Sequence, residues 1–234
     1  MQCVILAAGK GTRLRPLTDS TPKTLVKVSG KPILQHTVEA LPSEITEIIL
    51  VVGYLEEQIR NFCGTEFFGK KIKYVTQENP AGGTGEALNC AKELVKGKFL
   101  LLNGDDIYGA EALKIIIKEE SAVFGVRSDT PERFGVLIPD AHGFLKQIIE
   151  KPKIPPSNLI NIGGYVLDDS IFRYEVGVSE LGEVFVTDMV TAYAQNNQMK
   201  IIEQDLWLPI GYPEDIDKAE KILKAQSDSK NSGA

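Results

Sequence analysis

The 234-residue sequence predicts an α/β fold, an open, mixed but mainly parallel sheet with helices on both faces. Three observations carry this expectation. Apolar runs of strand length alternate with longer stretches of helical period through the first half of the chain. The runs Ile48-Ile49-Leu50-Val51-Val52 and Phe99-Leu100-Leu101-Leu102 are continuously apolar, the pattern of strands covered on both faces. Beyond about Phe134 the apolar runs shorten and turn residues multiply, at Pro139-Asp140 and through 152–157, so a smaller antiparallel region is expected to extend the main sheet.

Taken in order, strands are predicted over 2–7, 47–53, 72–76, 99–103 and 122–126, with helices near 32–41, 55–62, 85–95 and 110–119 between them. Shorter strands follow over 135–138, 145–149 and 164–167. Helical period returns at 186–196 and 213–224, the latter opening with Pro213, Glu214 and Asp215 as a helix start does. The last eight residues, 227–234, are small and polar and read as a flexible tail. No internal repeat is visible.

Net charge is −6, which argues against a nucleic-acid partner. Cys3, Cys63 and Cys90 are far apart and form no CxxC pair, so neither a metal framework nor a disulfide scaffold is indicated. The chain enters its first strand at once and has no apolar run near 18 residues. The expectation is a cytoplasmic protein with no membrane partner; a homo-oligomer is left open.

The basic residues are unevenly spread. Lys10, Arg13, Arg15, Lys23, Lys27 and Lys31 face a single acid, Asp19, between positions 10 and 31. Charge alone fits a solvated basic surface as well as an anion site. The loop Gly9-Lys10-Gly11-Thr12-Arg13-Leu14 follows the first predicted strand, at the sheet edge where open α/β sheets bind ligands. Its glycines permit close backbone approach to an anion. Leu14 stands where a dinucleotide fingerprint needs its third glycine, and no G-x-x-x-x-G-K-[ST] phosphate loop occurs.

The double motif LAAGKGTRLRPLT (6–18) and TPKTLVKVSGKPIL (21–34) resembles the signature of the sugar-1-phosphate nucleotidylyltransferases. Within that family it resembles glucose-1-phosphate thymidylyl- and uridylyltransferases and the pyrophosphorylase domain of N-acetylglucosamine-1-phosphate uridylyltransferases. Further segments are similar in the same order: TQENPAGGTGEA (76–87), LNGDDIY (102–108), RFGVLIPD (133–140), EKP (150–152), SNLINIGGYVL (157–167), VTDM (186–189) and WLPIGYPEDI (207–216). The resemblance implies the Rossmann-like nucleotide-diphospho-sugar transferase fold. It would form one domain over 1–226, with a nucleotide-binding half to about 130 and a sugar-phosphate-binding half over about 131–226.

It also implies the reaction, attack of a sugar-1-phosphate oxygen on the α-phosphorus of a nucleoside triphosphate, with Mg²⁺ as cofactor and pyrophosphate as leaving group. The nucleophile is already ionised near neutrality, so the site needs charge neutralisation more than a general base. Only two histidines occur, His36 and His142, and both read as structural or surface residues.

By resemblance, Leu6, Ala8, Gly9, Gly11 and Thr12 contact the nucleotide, Arg13 its β- and γ-phosphates, and Lys23 its α-phosphate. Gln77, Gly82, Gly83 and Thr84 fall in the base-reading segment, and the glutamine favours UTP or dTTP. Asp105 is the implied Mg²⁺ ligand, with Asp106 second to it. Gly135, Glu150 and Asn161 are the implied sugar contacts, and Lys151 the sugar-phosphate contact. Arg13, Lys23, Asp105 and Lys151 thus form the expected catalytic set.

One position departs. Members of the family often read Trp-x-Asp-x-Gly-x-Pro near the end, the aspartate being a second metal ligand; here Pro209 takes its place. Asp205, Asp215 or water are the substitutes the sequence offers, or Asp105 holds the metal as its single protein ligand. The alternatives are a mannose-1-phosphate guanylyltransferase, a phosphocholine cytidylyltransferase-like enzyme, and a non-catalytic nucleotide-sugar-binding homologue. With no acetyltransferase segment among these 234 residues, acetyl transfer is not expected.

Overall fold

The computed structural model describes residues 1–179, 182–204 and 206–231. The first strand, β1 (Gln2–Leu6), leads into the glycine loop, followed by the short hairpin β2 (Lys27–Val28) and β3 (Lys31–Pro32). Then come α1 (Ile33–Ala40), β4 (Glu47–Val52), α2 (Glu56–Cys63), β5 (Glu66–Phe67), β6 (Lys70–Thr76), α3 (Gly83–Cys90), β7 (Phe99–Asn103) and β8 (Asp106–Tyr108). The second half holds α4 (Ala110–Ile116), β9 (Ala122–Arg127), β10 (Gly135–Pro139), β11 (Leu145–Glu150), β12 (Leu159–Leu167), α5 (Val186–Ala194), β13 (Lys200–Glu203), β14 (Trp207–Pro209) and α6 (Pro213–Asn231).

Among the described residues ten strands form one sheet, ordered β11-β10-β12-β7-β1-β4-β6-β5, with β9 pairing both β12 and β13. Strands β7, β1, β4 and β6 are parallel neighbours, and β12 joins β7 antiparallel. The mixed, mainly parallel sheet expected from the sequence is therefore present, with most of its antiparallel pairing on the β12 side and the short β5 antiparallel to β6 at the other edge.

The unbroken apolar strands are explained by burial on both faces. Cys3, Ile5, Ile48, Leu50, Leu100 and Leu102 pack into one core, while Val4, Ile49, Val51, Phe99 and Leu101 pack into the other. Burying such an aliphatic side chain is worth about 1.5–3 kcal/mol, so one residue of register slip would exchange the two cores strand by strand. A third, smaller core of Leu14, Val26, Val28, Ile33, Ile107, Leu208 and Ile210 fastens the glycine loop to β14 and α6.

Several elements differ from expectation. Strand β12 starts at Leu159 rather than Gly164, because its first half pairs with β9 and β10 and its last residues with β7, across a register shift between Asn161 and Tyr165. The expected tail is helical as far as Asn231, continuing α6; residues 232–234 lie outside the described residues. Among the described residues no helix is long and apolar enough to cross a membrane.

Candidate active site

The glycine loop emerges beyond the carboxyl end of β1. Gly11 takes φ +61, and a Cβ there would stand 2.9 Å from the Lys23 Cβ, so glycine lets the loop lie directly on Lys23. The next residues make a single helical turn, Thr12–Leu14, with the Leu14 side chain fully buried in the third core. Anchoring Leu14 inward leaves Arg13 exposed beside it.

Asp105 reaches the same place from β7. Leu6 and Asn103 are paired across β1 and β7, and the Gly104 amide donates to the Leu6 carbonyl at 2.9 Å. Asp105 therefore lies just past the ends of both strands. Its Oδ2 accepts from Lys23 Nζ at 2.5 Å. Burial alone pulls the Lys23 ammonium down in pKa, but the charge and hydrogen bond of Asp105, with Asp106 behind it, outweigh that and leave it above its ordinary value.

Asp106 is nearly fully buried and opens β8, opposite Pro209 of β14. Burial first, and then the neighbouring Asp105 charge, push its carboxyl well above the ordinary carboxylate value. Of the substitutes for a carboxylate at Pro209, Asp215 is engaged elsewhere: its Oδ2 accepts from the Gly211 and Tyr212 amides at 3.0 and 2.8 Å. Asp205 lies outside the described residues. Among the described residues no group of three or more His, Cys, Asp or Glu side chains is arranged to hold a metal ion.

On one side of Lys23 and Asp105 is a hollow of about 230 Å³ lined by Leu6, Ala8, Gly9, Gln77, Gly83 and Thr84. Gln77 Nε2 donates to the Gly83 carbonyl at 3.1 Å, which fixes the amide orientation. Gly83 has φ +89, and a Cβ there would fall 2.5 Å from the Val184 carbonyl oxygen. The glycine segment is strapped to the chain before α5: Val184 N–H donates to Gly82 O, Gly85 N–H to Val184 O, and Val186 N–H to Thr84 Oγ1.

On the other side a hollow of about 410 Å³ is lined by Arg13, Gly135, Glu150, Lys151 and Asn161. Gly135 and Glu150 are cross-strand partners in β10 and β11. Glu150 lies 3.4 Å from Lys151 Nζ and accepts from Thr187 Oγ1 at 3.4 Å. Lys151 itself adopts φ +42, a backbone conformation uncommon in non-glycine residues, shared among the described residues with Ser29, Leu55 and Phe68. Asn161 Nδ2 donates to the Tyr165 hydroxyl at 2.6 Å, and its Oδ1 accepts from the Gly163 amide at 3.1 Å.

Lys23, Thr84, Asn103, Asp105 and Glu183 belong to the walls of both hollows, so they form one cleft. Of the residues singled out from the sequence, Gly11, Thr12 and Gly82 do not line either hollow. Asn103, Glu183, Tyr165, Thr187, Arg133 and Tyr212 also face the cleft or its extension and were not singled out. All of these but Glu183 sit inside motifs quoted above; Glu183 lies in an irregular segment where no periodicity points to a site.

A glycine loop, a half-buried lysine and a strand-end aspartate converging between two hollows define a class of phosphate-handling α/β protein. The nucleotidyl transferase family model matches residues 2–226, and the chain belongs to that family. It is 38% identical over 238 residues to the bifunctional protein GlmU of Methanococcus maripaludis, covering all of this chain and 57% of that protein. It is 36% identical to the UTP–glucose-1-phosphate uridylyltransferase AglF of Haloferax volcanii, covering 97% of this chain and 98% of that one. A crystal structure described as a glucose-1-phosphate thymidylyltransferase from Bacillus anthracis superposes with a TM-score of 0.83 at 29% identity, over 95% of this chain and 94% of that one. The chain thus spans little more than half of GlmU but nearly all of the latter two.

Proposed function

We propose that this chain transfers a nucleotidyl group from UTP or dTTP to a sugar 1-phosphate, with glucose 1-phosphate and N-acetylglucosamine 1-phosphate as the favoured acceptors. The observation that carries the reading is that Arg13, Lys23 and Asp105 border one cleft, between a hollow containing Gln77 and a hollow containing Glu150 and Asn161. A triphosphate laid across that junction has its base on one side and the sugar on the other. AglF, similar over nearly its whole length, carries the name of such an activity.

With Nε2 held by the Gly83 carbonyl, Gln77 presents Oε1 as an acceptor, which suits the ring N–H of uracil or thymine. Cytosine has no N–H at that ring position, which disfavours the cytidylyl alternative. The acceptor phosphate loses its second proton near pH 6, so its oxygen attacks the α-phosphorus without a base. Lys23 and Arg13 neutralise charge on the triphosphate, and Lys151 holds the acceptor phosphate in line.

Asp105 suits a hard cation: Mg²⁺ is commonly bound through one or two carboxylates plus phosphate oxygens and water, and its carboxylate is over a third exposed to the cleft. When bound there, Mg²⁺ supplies Lewis-acid neutralisation of the phosphate oxygens. Asp106, buried beside Asp105, is pushed by burial and by the Asp105 charge toward its protonated form, which leaves Asp105 as the exposed carboxylate of the junction.

The test is a matrix of five nucleoside triphosphates against a dozen sugar phosphates with Mg²⁺, read by pyrophosphate release. Release with UTP or dTTP and a hexose 1-phosphate is expected. No release from any pair overturns the reading in favour of a non-catalytic binding protein.

A further inference from the structure

Past Arg13 and Lys151 the cleft continues into a third hollow of about 330 Å³, which Arg133, Pro209, Tyr212 and Asp215 also border. The Arg13 guanidinium carbon lies 5.6 Å from the centre of the Tyr212 ring, and that of Arg133 lies 5.4 Å from it. Two cations from distant parts of the chain, the loop after β1 and the turn before β10, are thus seated on one aromatic ring. Their separation cannot exceed those two distances together, a span that a diphosphate bridges with its terminal oxygens.

Neither arginine has a carboxylate within ion-pair distance among the described residues. Asp215 is the one acid in this wall, and it is already committed. Its Oδ2 accepts from the Gly211 and Tyr212 amides, which fixes the turn carrying the ring, and its Oδ1 lies 3.5 Å from Lys218 Nζ. Arg13 and Arg133 therefore give this hollow an uncompensated positive charge, next to a Lys151 that Glu150 already neutralises at 3.4 Å. Gathering like charges around one ring is unfavourable unless an anion of high charge density joins them. Gln77 and Gly83 are absent from this wall, and so are Gly135, Glu150 and Asn161. The hollow has the means to hold phosphate and none of the groups placed against a base or a sugar.

We infer that Arg133, held beside Arg13 by Tyr212, grips the departing pyrophosphate. The inference rests on the nucleotidyl-transfer reading above. As the acceptor oxygen bonds to the α-phosphorus, the bond from that phosphorus to the bridging oxygen breaks, and its electron pair leaves on the pyrophosphate. No proton transfer is required. Both arginines supply charge and paired N–H donors where the leaving group's negative charge grows.

Isothermal titration calorimetry with inorganic pyrophosphate, and separately with glucose 1-phosphate, both with Mg²⁺, tests this on the full chain. Arg133→Met is expected to weaken pyrophosphate binding by about 10- to 100-fold, the loss of a charge-assisted contact, and to leave glucose 1-phosphate binding within about twofold. Tyr212→Leu, which removes the seat and keeps both charges, should weaken pyrophosphate in the same direction. Thermal melting checks folding, and Arg133→Lys replaces Arg133→Met where that variant melts early, with a smaller loss in the same direction. Unchanged pyrophosphate affinity in a folded variant, or a loss confined to glucose 1-phosphate, overturns the inference. If the unaltered chain transfers nucleotide while Arg133→Met binds pyrophosphate normally, only this inference fails; if the unaltered chain transfers nothing, the parent reading fails.

Discussion

Lys23 Nζ and Asp105 Oδ2, 82 residues apart in sequence, lie 2.5 Å from each other at the junction of the two hollows. The sheet makes this contact: parallel pairing of β1 with β7 brings the loop leading to Lys23 and the residue after Gly104 to one edge. Without substrates the lysine and the carboxylate neutralise each other. On the proposed reading a triphosphate with its cation offers each a stronger partner, and the ion pair is what the two exchange on binding.

Replacing Lys23 by alanine therefore removes transition-state charge without opening the core. Turnover in Lys23→Ala should fall about 10²- to 10³-fold, the scale of losing one preorganised charge stabiliser. Asp105 is exposed enough to stay solvated, so far-ultraviolet circular dichroism should be unchanged. Near-normal turnover, followed by pyrophosphate release, would remove Lys23 from the chemistry.

Much of this arrangement was legible in the sequence, for identifiable reasons. The parallel strands read clearly because burial on both faces leaves unbroken runs such as 48–52 and 99–102. Strand β13 was missed because Lys200-Ile201-Ile202-Glu203 is a short edge strand against β9, with a half-buried pattern common to loops. The three-residue strands β8 and β14 are held by pairing between segments far apart in sequence, which local pattern does not encode, and the two-residue strands of the β2–β3 hairpin are too short to show an alternation. The glycine loop, Lys23, Asp105 and Gln77 stood out because their motifs are contiguous. The seat made by Tyr212 for Arg13 and Arg133 joins three separate segments and exists only once the chain is folded.

Pro209 faces Asp106 across the β8–β14 pair, at the rim of the cleft and in the position where the family pattern has aspartate. Adding a carboxylate there raises the charge available to a hard cation. Pro209→Asp should lower the Mg²⁺ concentration giving half-maximal activity by about threefold or more. A Mg²⁺ titration of both proteins decides it, and a tight, sub-millimolar requirement in the unaltered chain counts against a site with one protein carboxylate.

Gln77 is almost completely buried, and its amide is held by the Gly83 carbonyl. Gln77→Leu keeps the volume and removes the acceptor facing the base hollow. The half-saturating concentration of UTP or dTTP should rise about tenfold, with less change for a purine nucleotide. Competition assays with equal concentrations of UTP and GTP measure the discrimination directly, and an unaltered ratio would detach Gln77 from base reading.

Gly83 holds φ +89 with its hydrogen-bearing face against the Val184 carbonyl. A methyl group there has both the wrong backbone conformation and no room, since the opposing atom is backbone. Gly83→Ala should destabilise the fold by roughly 1–3 kcal/mol and loosen the strap from Gly82 and Gly85 to Val184. Urea denaturation measures the first effect. Hydrogen exchange at the Gly85 and Val184 amides, which should speed up, reports the second.

Asp168, at the end of β12, accepts from the Ser170 amide at 2.8 Å and the Tyr193 hydroxyl at 3.0 Å, tying the sheet to α5. Burial alone would raise its pKa; the bonds from Ser170 and Tyr193 outweigh that and hold the carboxyl below its ordinary value of 3.8. Because the folded value is the lower one, the ionised form favours the folded chain. Its stabilising effect is complete above the unfolded value and is lost as pH falls through the folded one. Asp168→Ala should cost about 1 kcal/mol at pH 7, the usual size of such a cap. That difference should persist at pH 5 and narrow below about 3.8. Urea unfolding of both proteins at pH 7, 5 and 3 measures the gap, and a gap independent of pH would assign the effect to packing rather than charge.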